Sequence, residues 1–242
     1  MKLIKLSATS STNDYLKEWS RRELLTDLTV VWAKHQSAGR GQMGSTWDVD
    51  TTKNLTFSVL IANDKLQIEH MFTLNVMVAN AVHRALSSYS LENIKIKWPN
   101  DILSYKKKIG GILIENTLQS NGKFQSIVGI GINVSQTQFD HLPKASSILK
   151  QYQKEIDQEE LLSKIVQQIE DRVYKINEIS AIEWQYYHKH LFRKGELSHF
   201  ITADNETFCG IIDHVTSHGQ LVVIRENQDC QKFSLKEIKL VY

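Results

Sequence analysis

The sequence predicts an α+β fold in two parts, a larger unit over residues 1–194 and a small β-barrel over 195–242. Two observations carry this. Strand-like and helix-like stretches interleave as far as about residue 192. After Gly195 the texture changes to short β-like runs divided by the polar turns ADNE, SHG and ENQD, roughly ten residues apart. A chain of 242 residues is long enough for one main core and a small appended unit.

Each element has its own signal. KLIKL (2–6) reads as a short strand. SSTNDYLKEWSRRELL (10–25) reads as a helix, because Ser11 and Asp14 fit a capping box and Leu16, Trp19 and Leu24 fall at helical spacing. TVVWAKHQ (29–36) and NLTFSVLIAN (54–63) are rich in β-branched and aromatic residues and read as strands. Residues 67–88 form the longest amphipathic helix, with Ile68, Met71, Phe72, Asn75, Val78, Ala79, Val82 and Leu86 on one face. NIKIKW (93–98) is a strand that stops at Pro99, which has no N–H to give to a ladder. KIGGILIENTLQ and KFQSIVGIGINV flank Asn121–Gly122, a hairpin signal that pairs Gly111 near Gly131 or Asn133. Residues 157–177 and 180–192 are helical again.

Bulk properties narrow the function. The net charge is +2, with 29 Lys and Arg against 27 Asp and Glu, so charge gives no case for nucleic acid or an anionic membrane. A local anion site stays open. No stretch has the length of a membrane span, and MKLIKLSATS is too short in its apolar run for a signal peptide. Cytoplasmic residence follows as the expectation, with Cys209 and Cys230 as free thiols. His188 and His190 have no cysteine or glutamate at a zinc spacing, so an exposed helix face is the plainer reading.

Seven of the eleven glycines fall at 39–44, 110–111 and 129–131. In AGRGQMGSTW (38–47) a bare backbone surrounds Arg40 and ends at Trp47. Such a loop either connects two strands or offers N–H groups and a permanent cation to an anion, under a broad apolar ring. No GxxxxGK[ST] motif accompanies it. In KWPNDIL (97–103), Asn100 and Asp101 leave a strand after Pro99, which is either turn chemistry or a fixed carboxylate beside a reacting group. Lys108 precedes IGGILIE, where Gly110 and Gly111 weaken a strand unless a ligand lies against it. Ser11, Thr12 and Asn13 open a helix, where hydroxyl and amide groups cap it or bind a small polar ring.

The series STN, QSAGRG…W, KWPND, KIGGILIE and GIGIN, in this order, resembles the biotin protein ligase family from Ser11 to Asn133. The resemblance implies a mixed sheet flanked by helices, similar to class II aminoacyl-tRNA synthetases, followed by a small SH3-like barrel. It implies activation of biotin by ATP and Mg²⁺ to biotinyl-5′-adenylate, then transfer to a lysine of a biotin carboxyl carrier protein. Because STN starts at residue 11, a monofunctional ligase without a DNA-binding domain is implied; a homodimer is left open. A lipoate or octanoyl ligase of the same fold and a non-catalytic biotin-binding regulator are the rival readings.

By matching positions, the resemblance assigns Ser11, Thr12, Asn13 and Gln36 to the biotin ring. Arg40, Gly41, Gln42, Lys108, Gly110, Gly111, Ile112 and Gly131 are assigned to the rest of the biotin site. Arg40, Trp47, Asn100, Lys108 and Asn133 are assigned to ATP and the adenylate. Lys108, Arg40 and Asp101 are the implied catalytic groups, with Asp101 orienting or deprotonating the carrier lysine. Gln42 and Ser45 stand where relatives often carry further arginines, which leaves Arg40 as the loop's one cation.

Overall fold

The structure is a computed structural model that describes residues 1–47, 52–62, 66–118, 123–226 and 228–242. Strands β1 (Lys2–Leu6) and β2 (Thr29–Ala33) run parallel, because helix α1 (Thr12–Arg22) carries the chain back between them. The remaining strands of the main sheet are β3 (Leu55–Ile61), β4 (Ile94–Lys97), β5 (Asp101–Ser104), β6 (Lys107–Leu118) and β7 (Phe124–Ile132). They pair antiparallel, giving a seven-stranded mixed sheet in the order β1-β2-β3-β7-β6-β5-β4.

The two faces of this sheet differ in chemistry. On β3, Phe57, Val59 and Ile61 join the large core under helix α2 (Met71–Ser87), whereas Thr56, Ser58 and Leu60 alternate to the other face. Helices α4 (Gln158–Val173) and α5 (Ile176–His190) pack over α2, so α2 is buried nearly all round. On the second face α1 seats Leu16 against Val31, Leu60 and Ile127. Ser11 caps α1 by accepting from the Asp14 N–H, as the sequence predicts.

A β-bulge decides which residues reach the second face. On β5, Ile102 pairs with Gly110 and Leu103 with Lys108, so Ile109 is the unpaired extra residue. That insertion puts Lys108 and Gly111, three apart, on the same face. Strict alternation would have turned Lys108 toward the core.

The C-terminal sheet holds β8 (Leu197–Thr202), β9 (Thr207–Val215), β10 (Leu221–Arg225), β11 (Cys230–Phe233) and β12 (Ile238–Val241), all antiparallel in the order β11-β10-β9-β8-β12. Hydrogen bonds fasten it to the main unit: the Trp98 indole donates to the Gly219 carbonyl at 2.9 Å and the Val215 N–H to His188 at 3.1 Å. Gly219 has φ +85 and lies against the Phe72 ring, where a side chain would clash. Cys209 and Cys230 are free thiols.

Some expectations shift. The helix expected at 67–88 begins at Met71; residues 68–70 form a 3₁₀ turn, and Ile68 is exposed. Leu24 lies beyond the end of α1 and is fully exposed. Strand β5 and the short helix α3 (Ile148–Tyr152) have no strong sequence signal. The Asn121–Gly122 turn and part of ENQD lie outside the described residues, but β6 and β7 pair with Gly111 opposite Gly131.

Candidate active site

A cavity of about 400 Å³ opens on the second face of the main sheet and reaches the C-terminal sheet. Of the residues singled out in the sequence it is lined by Ser11, Thr12, Asn13, Gln36, Arg40, Gly41, Gln42, Trp47, Asn100, Asp101, Lys108, Gly111, Ile112 and Gly131. Eight of these come from the segments before β3, the rest from the β4–β7 half, so the sheet register is what gathers them.

Two expected residues lie elsewhere. Gly110 is on the core face of β6, where a side chain would meet Ile132 and Ile102. Its lack of a side chain serves packing at the bulge, not the cavity. Asn133 is buried and donates to the Ser146 carbonyl at 3.0 Å, tying the end of β7 to the segment before α3.

The polar end is a chain of side chains from separate elements. Gln36 Oε1 accepts from both the N–H and the hydroxyl of Thr12, at 2.7 and 3.0 Å. Ser58 lies 2.7 Å from the Thr12 hydroxyl and donates to Asn13 Oδ1 at 2.6 Å. Asn13 Nδ2 donates to Glu115 at 2.9 Å. Gly129 lies beneath Asn13, where a side chain would clash with Oδ1. These bonds commit the carbonyl oxygen of Gln36 and leave its amide N–H₂ as a donor toward the cavity.

The loop 38–47 folds as a small hairpin. Arg40 bridges Thr46, the Gly41 N–H donates to Ser45 at 2.6 Å and the Trp47 N–H to Gly39 at 2.8 Å. The bare backbone is thus explained by tight closure. A side chain on Gly39 would strike the Trp47 carbonyl, and one on Gly41 the Ser45 hydroxyl. This corrects the reading of a nest of inward glycine N–H groups in one respect: the Gly41 N–H closes the hairpin instead. The Arg40 guanidinium pairs with Asp14 and, at 2.9 Å, with Glu115. Trp47 rests on the glycine floor: a side chain on Gly131 would come within 2.4 Å of its ring, and one on Gly111 within 3.0 Å. Its Nε1 is buried without a partner, a donor left for a ligand.

At the other end Asp101 sits between two ammonium groups, Lys108 at 2.6 Å and Lys97 at 3.0 Å. Burial pushes its carboxyl pKa up, but Lys97 and Lys108 outweigh burial and hold it below the ordinary value of 3.8. Asn100 is fixed by its own Nδ2, which donates to the Ile112 carbonyl at 2.7 Å, and the Trp98–Pro99 peptide before it is cis. Lys144, Lys236, Lys239 and Tyr242 complete this end, and Lys144 lies 4.2 Å from the Tyr242 ring centre.

Sequence reasoning missed Lys97 and Glu115 although both stand inside quoted motifs. Alternation was the usable signal for each: Lys97 is two residues from Lys95 on β4, and Glu115 is four from Gly111 on β6. The C-terminal-sheet residues carry no local signal, because only tertiary docking brings them here.

Among the described residues no group of three or more His, Cys, Asp and Glu side chains is placed to hold a metal ion. Among the described residues Asp101 is the one carboxylate lining the cavity, and both its oxygens face lysines. This donor set suits Mg²⁺ that arrives on nucleotide phosphates, not an ion caged by protein. His188 accepts from the Val215 N–H at 3.1 Å and His190 lies beside His83, so both are structural.

The sequence profile of the Biotin/lipoate A/B protein ligase family matches residues 6–133. The chain belongs to that family. The whole fold is similar to the biotin protein ligase from Aquifex aeolicus in complex with biotin and ATP, with a TM-score of 0.82, 26% identity, and coverage of 99% of this chain and 98% of that one. The bifunctional ligase/repressor BirA of Bacillus subtilis is 35% identical over 108 residues, 45% of this chain and 33% of that protein. The biotin–[acetyl-CoA-carboxylase] ligase of Mycobacterium tuberculosis is 26% identical over 171 residues, 69% and 62% of the two chains. The matched segment thus spans about a third of the length of the ligase/repressor and under two thirds of the mycobacterial enzyme. No described helix is long and apolar enough to cross a membrane.

Proposed function

We propose that the chain is an ATP-dependent biotin protein ligase that forms biotinyl-5′-adenylate and transfers biotin to a lysine of a biotin carboxyl carrier protein. The observation that carries this reading is one cavity with a hydrogen-bonding end at Thr12, Asn13 and Gln36, a bare floor at Gly111 and Gly131, and an ionised Asp101 between Lys97 and Lys108. The Mycobacterium tuberculosis and Aquifex aeolicus relatives are named as biotin ligases, which supports biotin over lipoate.

In the first step a biotin carboxylate oxygen bonds to the α-phosphorus of ATP, and the bond to the β-phosphate breaks to release pyrophosphate. Two anions must meet, and their repulsion is large away from water. Arg40 and Lys108 offset it, and Lys97, Lys144, Lys236 and Lys239 add positive potential around the phosphates. Mg²⁺ bound to the nucleotide would neutralise further phosphate charge. The Ser11–Asn13 turn and Gln36 hold the ureido ring, whose carbonyl accepts from the Gln36 amide. Trp47 covers the floor and closes the cavity to water. In the second step the carrier lysine, having lost a proton to solvent, attacks the acyl carbon through its nitrogen, AMP leaves with the electron pair of the acyl carbon–oxygen bond, and the second amine proton passes to solvent. A carboxylate held below its ordinary pKa is a poor proton acceptor, so Asp101 orients the incoming amine more than it deprotonates it.

Transfer of labelled biotin to an isolated carrier domain, dependent on both ATP and biotin, tests the proposal. Biotin raises the melting temperature on this reading and lipoate does not. Labelling with lipoate in place of biotin, or no labelling with either, overturns it.

A further inference from the structure

A second concavity of about 850 Å³ lies beside the candidate active site and shares Phe192 with it. Its walls come from β4, the β5–β6 turn, the end of α5 and the segment that leads into the C-terminal sheet. Lys95, Lys106, Lys107, Lys189, Arg193 and Lys194 line it, and Glu196 is the one carboxylate among its described lining residues. Glu196 reaches Arg193 at 3.7 Å. In a chain of net charge +2 this is a local concentration of positive charge, not a bulk property. His190, half-buried at the end of α5, is held below its ordinary pKa first by burial, then by Lys95 and Lys189.

The groove is built to keep its shape. The Ile96–Leu191 and Lys194–Ile212 bridges strap the connecting segment to both sheets. Positive charge also runs without interruption into the active site. Lys95 and Lys97 are alternate residues on one face of β4, and Lys107 precedes Lys108 on β6.

The acceptor lysine faces a problem there. It is a cation, and it must approach a cavity whose described lining residues include Arg40, Lys97, Lys108, Lys144, Lys236 and Lys239 and, as carboxylate, Asp101. A partner that carries its lysine on a neutral or basic surface is repelled. A partner with an acidic surface beside that lysine is drawn to the groove, and the attraction offsets the repulsion at the mouth. We propose that this basic groove docks an acidic face of the acceptor domain and so guides its lysine past Phe192 to Asp101. The inference rests on the ligase reading and adds to it the surface and the charge of the partner.

The test uses the full chain, an acetyl-CoA carboxylase carrier domain as acceptor, and the variants Lys106→Glu/Lys194→Glu and Lys106→Gln/Lys194→Gln. Both positions are exposed and neither belongs to the catalytic cavity. At low ionic strength the Glu pair raises the acceptor KM roughly tenfold or more, the Gln pair raises it by less, and kcat stays close to wild type. Added salt narrows the gap between variants and wild type. Biotin-dependent pyrophosphate release without acceptor is unchanged, which also shows that the variants are folded. An acceptor KM within twofold of wild type in both variants overturns the docking surface and leaves the ligase reading standing. So does retention of a short DNA duplex by wild type alone, with the acceptor KM unmoved. No biotin-dependent pyrophosphate release from wild type overturns both.

Discussion

Glu115 Oε2 accepts from Arg40 at 2.9 Å and from Asn13 Nδ2 at 2.9 Å, so one carboxylate joins the loop cation to the polar end of the cavity. Lys17 adds a third contact, at 3.3 Å, through the other oxygen. Burial raises the Glu115 pKa, yet its hydrogen bond from Asn13 and its cations bring it below the ordinary range. Asp14 also pairs with Arg40, but the Asn13 amide donates to Glu115. The two acids are therefore separable. Glu115→Ala should raise the biotin KM about five- to tenfold, the worth of roughly 1 kcal/mol for a partly exposed pair with a hydrogen bond. Asp14→Asn should move it less than twofold. Equal effects of the two substitutions in steady-state kinetics would show that Arg40, not Asn13, is what Glu115 serves.

Adenylate retention follows from the same geometry. Gln42 lines the cavity two residues after Arg40, whose guanidinium is already engaged by two carboxylates. Gln42→Arg supplies a cation without that engagement. Dissociation of labelled biotinyl-5′-adenylate should slow several-fold in the variant, on the order of one exposed charge contact. An unchanged rate counts against a shortage of charge in the loop.

How much of this was legible beforehand follows from the range of each signal. The β6–β7 pairing was legible because both runs are β-rich and a turn dipeptide lies between them, and Gly111 does face Gly131. The side chain that flanks it was not. The bulge at Ile109 sets the orientation of Lys108, and nothing in KKKIGGILIE marks where an extra residue is accommodated. Gly110 misled for the same reason: beside Gly111 it looked like floor, but the pleat puts neighbours on opposite faces. The loop glycines pointed to a special backbone correctly but to the wrong cause, since closure of a hairpin and N–H donation to an anion call for the same residue. Tyr242 and Lys236 reach the cavity only by docking of one sheet on the other, which no local pattern encodes.

Lys108 is the sharpest single test of the first step. Its ammonium is 2.6 Å from Asp101 and 5.5 Å from the Trp47 ring centre, where charge on a phosphoryl oxygen has to be met. Lys108→Ala should lower the rate of pyrophosphate release by roughly 10²–10³. The far-ultraviolet dichroism should be unchanged, because the backbone N–H of residue 108 still bonds to Lys144 at 2.7 Å. A rate within tenfold of wild type would remove Lys108 from the mechanism.

Gly131→Ala probes the floor. The added methyl would lie 2.4 Å from the Trp47 ring, and β7 is held by strands on both sides, so the ring must move. Moving the hairpin uncovers the cavity without unfolding the sheet. The variant should keep its fold in hydrogen exchange yet lose most of the biotin-induced rise in melting temperature. A full biotin shift would mean that Trp47 does not need the bare floor.

Asp101 gives the pH dependence. Its folded pKa is depressed by Lys97 and Lys108, so the stabilisation is present above the unfolded value near 3.8 and lost as pH falls through the lower folded value. Asp101→Asn removes the ionisation and leaves two ammonium groups facing each other across a neutral amide. The variant should melt below wild type at neutral pH. The gap should stay nearly constant down to about pH 5 and then close as wild type is protonated in the range below about pH 4. Melting temperatures of the two proteins across that range provide the check. A gap that widens toward acid would show that burial, not the two lysines, governs the carboxyl, and would turn Asp101 from an orienting anion into a candidate proton acceptor.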